Sequence, residues 1–239
     1  VITRSDKKAM YNAFRGEYYD VVFDNTAYFS NYVKYLMNCI RCERYIQLSS
    51  IRVYTVQSKD YEETAFRPYC EKVEWRNNKD LDYSIAKRDA EIAFYRAYPE
   101  VSGVTVRIPF VMDTDRIFYY YKRIYENLPI HVNDLKRKIS FVNPNDVSQF
   151  LIWIAKEDYT GPINFSSSDY ITIQDLIEYA ENKFGKQAIL SEKVGLAPFQ
   201  ECDHHLIITK LKEIGYKPPK LKDWFWKSTD KYIAACEEL

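Results

Sequence analysis

The sequence predicts an α/β protein: a parallel sheet covered by helices on both faces, with a smaller, mainly helical lobe. Apolar runs short enough for buried strands alternate with stretches of helical periodicity, the order expected of strands joined by helical crossovers. The 239 residues suffice for one substantial core, or for a larger domain with a small lobe. No repeat, low-complexity segment or flexible linker interrupts the chain, so the lobe must be built from segments that leave the sheet and return.

Asp20-Val21-Val22-Phe23-Asp24 predicts a strand buried on both faces. Helical spacing follows from Phe29 to Ile40, and Arg44 to Ser49 is the next strand. A polar, charged stretch from Thr55 to Lys79 predicts an excursion without regular structure. Leu81 to Ala97 is a helix with Tyr83, Ala86, Ala90, Ala93 and Phe94 on a common side. Gly103 to Ile108 is a third strand, closed by Pro109. Ile117 to Asn127 is a helix, Lys138 to Val142 a short strand and Asp146 to Lys156 a helix entered from Asn143-Pro144. Ile163 to Phe165 is a strand, and Thr172 caps a helix reaching Phe184. Leu206 to Ile214, ended by Gly215, and Lys220 to Cys236 are the last helices.

Composition removes several function classes. Thirty-four basic residues balance thirty-four acidic ones, so no net field gathers nucleic acid or anionic lipid, and no nucleic-acid partner is expected. The longest apolar runs are broken by charge and too short to span a bilayer, and no signal-like segment opens the sequence, so the expected setting is cytoplasmic with no membrane partner. Five cysteines, an odd number, argue against a disulfide scaffold. Cys39-x-x-Cys42 has no second pair to complete a zinc site and falls late in the predicted helix. Asp203-His204-His205 places adjacent side chains about 100 degrees apart if helical, so no metal is expected.

One constellation carries chemistry. Ser49 and Ser50 end the second predicted strand, and ligands of parallel sheets bind beyond the carboxyl ends of strands. Tyr83 and Lys87 are one turn apart on the following helix, where i and i+4 side chains are neighbours. The Lys87 ammonium is therefore expected to favour the Tyr83 phenolate and lower its pKa. Such a phenol serves as general acid or base, while a serine hydroxyl orients an alcohol or carbonyl. With 22 tyrosines in the chain, Tyr-x-x-x-Lys alone means little, and its weight comes from the serines and from the segments around it.

Leu48-Ser49-Ser50-Ile51-Arg52-Val53-Tyr54 followed by Tyr83-x-x-x-Lys87 resembles the extended short-chain dehydrogenase/reductase family, the NAD-dependent epimerases and dehydratases. Tyr19 to Tyr28 looks like the family's fourth strand and cofactor-contact loop. Arg107-Ile108-Pro109-Phe110-Val111 looks like its segment beside the nicotinamide, Phe141 to Val147 its entry to a late helix, and Leu211 to Tyr216 a motif near its end.

The resemblance implies a Rossmann-like sheet over residues 1–112, then a substrate-binding lobe over 113–239 interleaved with returning sheet elements at about 136–168. It implies Ser50, Tyr83 and Lys87 as catalytic residues, with Ser50 preferred because it stands four residues before Tyr54. It implies Asp24, Thr26, Ala27, Tyr28, Ser49, Lys87 and Pro109 as contacts to NAD or NADP. Local alternatives stand beside these roles: Asp24 as a turn former, Ser49 as a cap of the strand end, Pro109 as a strand terminator and Asp146 as a helix N-terminal residue.

The activity implied is oxidoreduction at a secondary alcohol or ketone of a small-molecule substrate such as a nucleotide sugar, by an epimerase, dehydratase or reductase. A homodimer is compatible with it. Arg116, Lys122 and Arg123 are generic candidates for a diphosphate.

The family's N-terminal strand, glycine-rich turn and helix have no counterpart here, because Gly16, Gly103, Gly161, Gly185, Gly195 and Gly215 form no cluster. Val1 to Asp6 looks like the family's third strand and its turn. The expectation is that the sequence omits an N-terminal βαβ part. A partner that supplies this part, or a truncated relative that binds no dinucleotide, are the alternatives. The rival functions are a cofactor-free scaffold and an RNA-associated member, which the balanced charge disfavours.

Overall fold

The computed structural model describes residues 2–55, 61–112, 115–201 and 203–238. The chain divides into two compact units. Val1–Ile108, Val147–Phe165 and Ile207–Tyr216 form the first, and Pro109–Asp146, Ser166–Leu206 and Lys217–Leu239 the second. The first unit thus takes up the chain again at 147–165 and at 207–216.

The first unit is built on a parallel sheet of β1 (Glu17–Asp24), β2 (Ile40–Ser50), β3 (Ser102–Ile108) and β4 (Gly161–Asn164), in that spatial order. The predicted Rossmann-like α/β class is the one observed. Strand β2 starts at Ile40 rather than Arg44, because its ladder with β1 begins with Glu17 opposite Ile40. Helices α2 (Ser30–Met37) and α3 (Tyr83–Ala97) bury Val33, Leu36, Ala90, Ala93 and Phe94 around Tyr45 of β2. Helix α5 (Pro144–Ile154) contributes Phe150, which stacks on Phe165 at 4.4 Å.

Helix α3 begins where the Asp82 carboxylate accepts from the Ser84 and Ile85 amides. It stops at Tyr98, whose position before Pro99 disfavours helical dihedrals. Gly103 lets the helix approach the sheet: a Cβ there would strike the Phe94 ring and the Tyr45 carbonyl oxygen.

Several expectations are corrected. Strand β1 is not buried on both faces. Among the described residues it pairs only with β2, at an edge of the sheet; Asp24 alone in it is buried, and Phe23 is 43% exposed. Residues 2–6 hold no strand. A turn at Arg4-Ser5 leads into an unforeseen helix α1 (Lys7–Phe14), capped by Asp6, with Arg4 drawn to Asp24 and to the Tyr32 carbonyl. Cys39 and Cys42 lie beyond α2, Cys42 within β2, because the helix ends at Met37. The four described cysteines are free. In the expected excursion, 3-10 turns occupy Glu63–Ala65 and Pro68–Cys70, and residues 56–60 lie outside the described ones.

The second unit packs helices α4 (Asp115–Tyr125), α6 (Ile173–Phe184) and α8 (Phe225–Glu237) around Ile117, Tyr121, Leu176, Ala180 and Phe225. Thr172 and Asp175 form a reciprocal capping box at the start of α6, the cap expected there. The expected strand at 138–142 is two separate pieces. Lys138–Ile139 runs antiparallel to Ile171–Thr172, and Phe141–Val142 parallel to Phe110–Val111. The helix expected from Leu206 is only Thr209–Glu213 (α7), because the Ile207 amide is donated to the Tyr61 carbonyl. Among the described residues no helix is long and apolar enough to cross a membrane.

Candidate active site

The hydroxyls meet at the carboxyl end of β2. Ser50 is the last residue of the strand, held in register opposite Ile108 of β3, and its Oγ accepts from the Arg52 amide as the chain turns into a 3-10 segment. Tyr83 is the first residue of α3, and its phenol lies near enough to the Ser50 hydroxyl for that hydroxyl to act on its pKa. The Tyr28 ring meets the Tyr83 ring edge-on with centroids 5.3 Å apart. Tyr83 is 37% exposed, so the expected buried face of α3 holds for Ala86, Ala90, Ala93 and Phe94 but not for it.

One turn along α3, Lys87 is 4% exposed and its Nζ is turned inward. It donates to the carbonyls of Leu48 at 2.9 Å and Ala27 at 3.2 Å, and lies 5.4 Å from the Tyr28 ring centroid. Burial pushes its pKa down to about 8 against the opposing pull of Asp24 and Glu91.

The expected lowering of the Tyr83 pKa is not found. Desolvation raises it, the Ser50 hydroxyl opposes that rise, Tyr28 adds to it, and the cation acting to lower it is Arg52. The reason is directional: Lys87 spends its N–H groups on strand and loop carbonyls rather than on the phenol.

The loop after β1 completes the neighbourhood. Asp24, 3% exposed, accepts from the Thr26 amide and hydroxyl, from the Tyr45 hydroxyl and from Arg4, the arrangement of a turn former. Ala27 is fully buried with its carbonyl on Lys87, and Tyr28 is half-exposed. Ser49 is 2% exposed and donates to the Glu91 carboxylate, which ties it to the strand end. Pro109 is the first residue of the second unit and is buried.

In that unit Arg116 lies over Phe110, Lys122 faces Glu126 at 3.8 Å and Arg123 donates to the Pro129 carbonyl. Asp146 sits in the first turn of α5. His204 packs on Phe110, while His205 shares a hydrogen bond with Ser140, so the adjacent histidines engage different partners.

Sequence reasoning passed over the most heavily bonded group. Arg107 of β3 is fully buried. It grips Glu91 of α3 with Nη2 at 2.7 Å and Nε at 3.1 and 3.2 Å, and donates also to the Tyr54 hydroxyl and to the Glu63 and Phe66 carbonyls. Burial works against the Arg107 charge, yet Glu91 and Tyr54 outweigh it and raise its pKa. The signal was present: Glu91 is a carboxylate four residues past Lys87 on the helix, and Arg107 a lone cation in an apolar strand.

Solved structures share this architecture. UDP-glucose 4-epimerase from Thermotoga maritima superposes with a TM-score of 0.68 at 15% identity, over 98% of this chain and 83% of that one. The fold is that of the UDP-sugar 4-epimerases. UDP-N-acetylglucosamine 4-epimerase from Bacillus cereus gives 0.65 at 16% identity, over 98% and 83%. UDP-glucuronic acid 4-epimerase from the same organism, in complex with UDP-glucuronic acid and NAD, gives 0.60 at 18% identity, over 86% and 67%. No family model and no curated protein matches the sequence. At such identities the likeness is one of fold, and function must be argued from the site.

Proposed function

We propose that this chain carries out NAD(P)-dependent oxidoreduction at a secondary alcohol of a nucleotide sugar, of the epimerase type. One observation carries the proposal: the Ser50 and Tyr83 hydroxyls brought together at the carboxyl end of a parallel strand, with a buried ammonium one helical turn on. The epimerase-like fold supports it.

The residues present fit the nicotinamide-ribose half of the cofactor. Lys87 uses two of its three N–H groups on carbonyls, which leaves a donor for a ribose hydroxyl, beside the Ala27 carbonyl and the Tyr28 ring. The sequence holds no glycine cluster to cradle a pyrophosphate. The nicotinamide supplies the hydride acceptor and donor when bound. Tyr83 holds the mobile proton, and with its pKa raised above the ordinary phenol value the resting site is poised to donate. Proton removal from the substrate hydroxyl needs the phenolate, which the Ser50 hydroxyl and Arg52 favour. Ser50 orients the reacting oxygen. We assign Ser49, with its hydroxyl on Glu91, to the strand end rather than to the cofactor.

The test is incubation with NAD and UDP-glucose, UDP-N-acetylglucosamine or UDP-glucuronic acid, with chromatographic detection of the 4-epimer. Turnover is expected for at least one sugar. Tyr83→Phe should cut kcat by ~10² to 10⁴ while sparing binding. Retained turnover in that variant refutes the assigned acid/base. Lack of both turnover and NADH energy transfer from the four tryptophans favours a scaffold.

A further inference from the structure

We propose that Glu91 and Arg107 are positioning residues for the Ser50–Tyr83 pair, a role that rests on the catalytic reading above. Their ion pair fixes the end of β2 against α3 through Ser49. Three elements converge on one carboxylate. Ser49 and Arg107 are register partners on adjacent strands, and both donate to Glu91, whose helix starts with Tyr83. Ser49 is covalently next to Ser50, so its hydrogen bond to Glu91 sets how far the Ser50 Oγ stands from the first turn of the helix. The carboxylate and guanidinium are both wholly buried, and their contacts are bidentate, which fixes orientation as well as distance.

The same guanidinium reaches the carbonyls of Glu63 and Phe66 and the Tyr54 hydroxyl, which in turn donates to Asn164 of β4. The segment after the 3-10 turn at Ile51–Val53 is therefore fastened to the same hub. A pair serving stability alone would not need Ser49, whose substitution leaves the bidentate contact intact. That separates the two roles.

The experiment uses Ser49→Ala, which removes the serine link, with Glu91→Gln as a second variant and Ser49→Thr as the conservative rescue. The phenol pKa of Tyr83 is followed in the full chain by NMR of ring-labelled tyrosine, its signal assigned by loss in Tyr83→Phe. This readout does not depend on turnover. The neighbouring Ser50 hydroxyl lowers that pKa, so its displacement should raise the value in Ser49→Ala, and Ser49→Thr should restore it.

In the turnover assay kcat should fall about tenfold in Ser49→Ala with KM little changed, the mark of an interaction made in the transition state. An unshifted Tyr83 titration in a folded Ser49→Ala overturns the positioning role, whether or not the protein turns over UDP-sugars. A shifted titration in Ser49→Ala, when the native sequence itself shows no turnover, upholds the positioning and sinks only the assigned activity.

Discussion

Two buried cations, Lys87 and Arg107, serve the same helix and strand ends under opposite conditions. Arg107 meets a carboxylate in a two-pronged grip and is held charged. Lys87, a turn from Glu91 on α3, has carbonyls and an aromatic ring for partners, and burial drives its pKa to about 8. Burial alone does not fix what a cation becomes; what matters is whether its partner carries a full opposing charge. A paired charge locks structure, and one held by dipoles stays close to titration. The second condition suits a group that must answer to a ligand, and the first a group that must not move.

The comparison breaks most visibly at Arg107. Arg107→Met leaves the Glu91 carboxylate buried without its partner, a change that typically costs ~3–5 kcal/mol. Urea unfolding should show a loss of that size. Arg107→Lys should recover only part of it, because a single ammonium cannot reproduce the fork. A loss below ~1 kcal/mol in Arg107→Met would mean that the pair is not a lock.

Lys87 should act through pH. Its folded pKa, about 8, lies below the ordinary 10.5, so between these values the unfolded chain binds the extra proton and stability rises with pH. Below about 8 both states are protonated and the burial penalty is present in full. Lys87→Met lacks this dependence. The stability of the native sequence relative to Lys87→Met should thus climb by ~3 kcal/mol from pH 7 to pH 10.5, at 1.36 kcal/mol per pKa unit. Parallel curves for the two proteins would show that the lysine is not under strain.

Tyr54 probes the lock from its far side. Its hydroxyl accepts from Arg107 and donates to Asn164, all three side chains being buried. Tyr54→Phe strands both partners and should cost ~1–3 kcal/mol in the same unfolding assay, less than loss of the charge pair. A neutral outcome would confine the lock to Glu91.

The contrast explains which parts of the molecule could be read in the chain. The alternation of apolar runs and helical stretches disclosed the parallel sheet, because burial imposes its period on local sequence. Thr172 marked a helix start for an equally local reason. That Ser50 ends a strand and Tyr83 and Lys87 share the next helix was legible through spacing and resemblance. The direction of Lys87 was not, since it is decided by the carbonyls of Ala27 and Leu48, 60 and 39 residues away in sequence. The lock was hidden likewise: Glu91 and Arg107 lie 16 residues apart, in a helix and a strand whose juxtaposition only the fold supplies. The edge position of β1 escaped because an apolar strand reads alike in the middle of a sheet and at its border.

The smallest expected effect sharpens the account of Lys87. The Tyr28 ring lies 5.4 Å from the ammonium, within the range where the face of a ring attracts a cation. If that attraction helps hold the charge, Tyr28→Leu should lower the Lys87 pKa further, by an amount corresponding to ~0.5–1 kcal/mol. The measurement is NMR titration of the lysine Nζ-adjacent methylene, assigned by its loss in Lys87→Met. Removal of a half-exposed ring also admits water, and hydration of the ammonium would move the pKa upward instead. The sign therefore decides between two descriptions of Tyr28: a downward shift makes its ring a partner of the charge, and an upward one makes it a lid that keeps Lys87 dry.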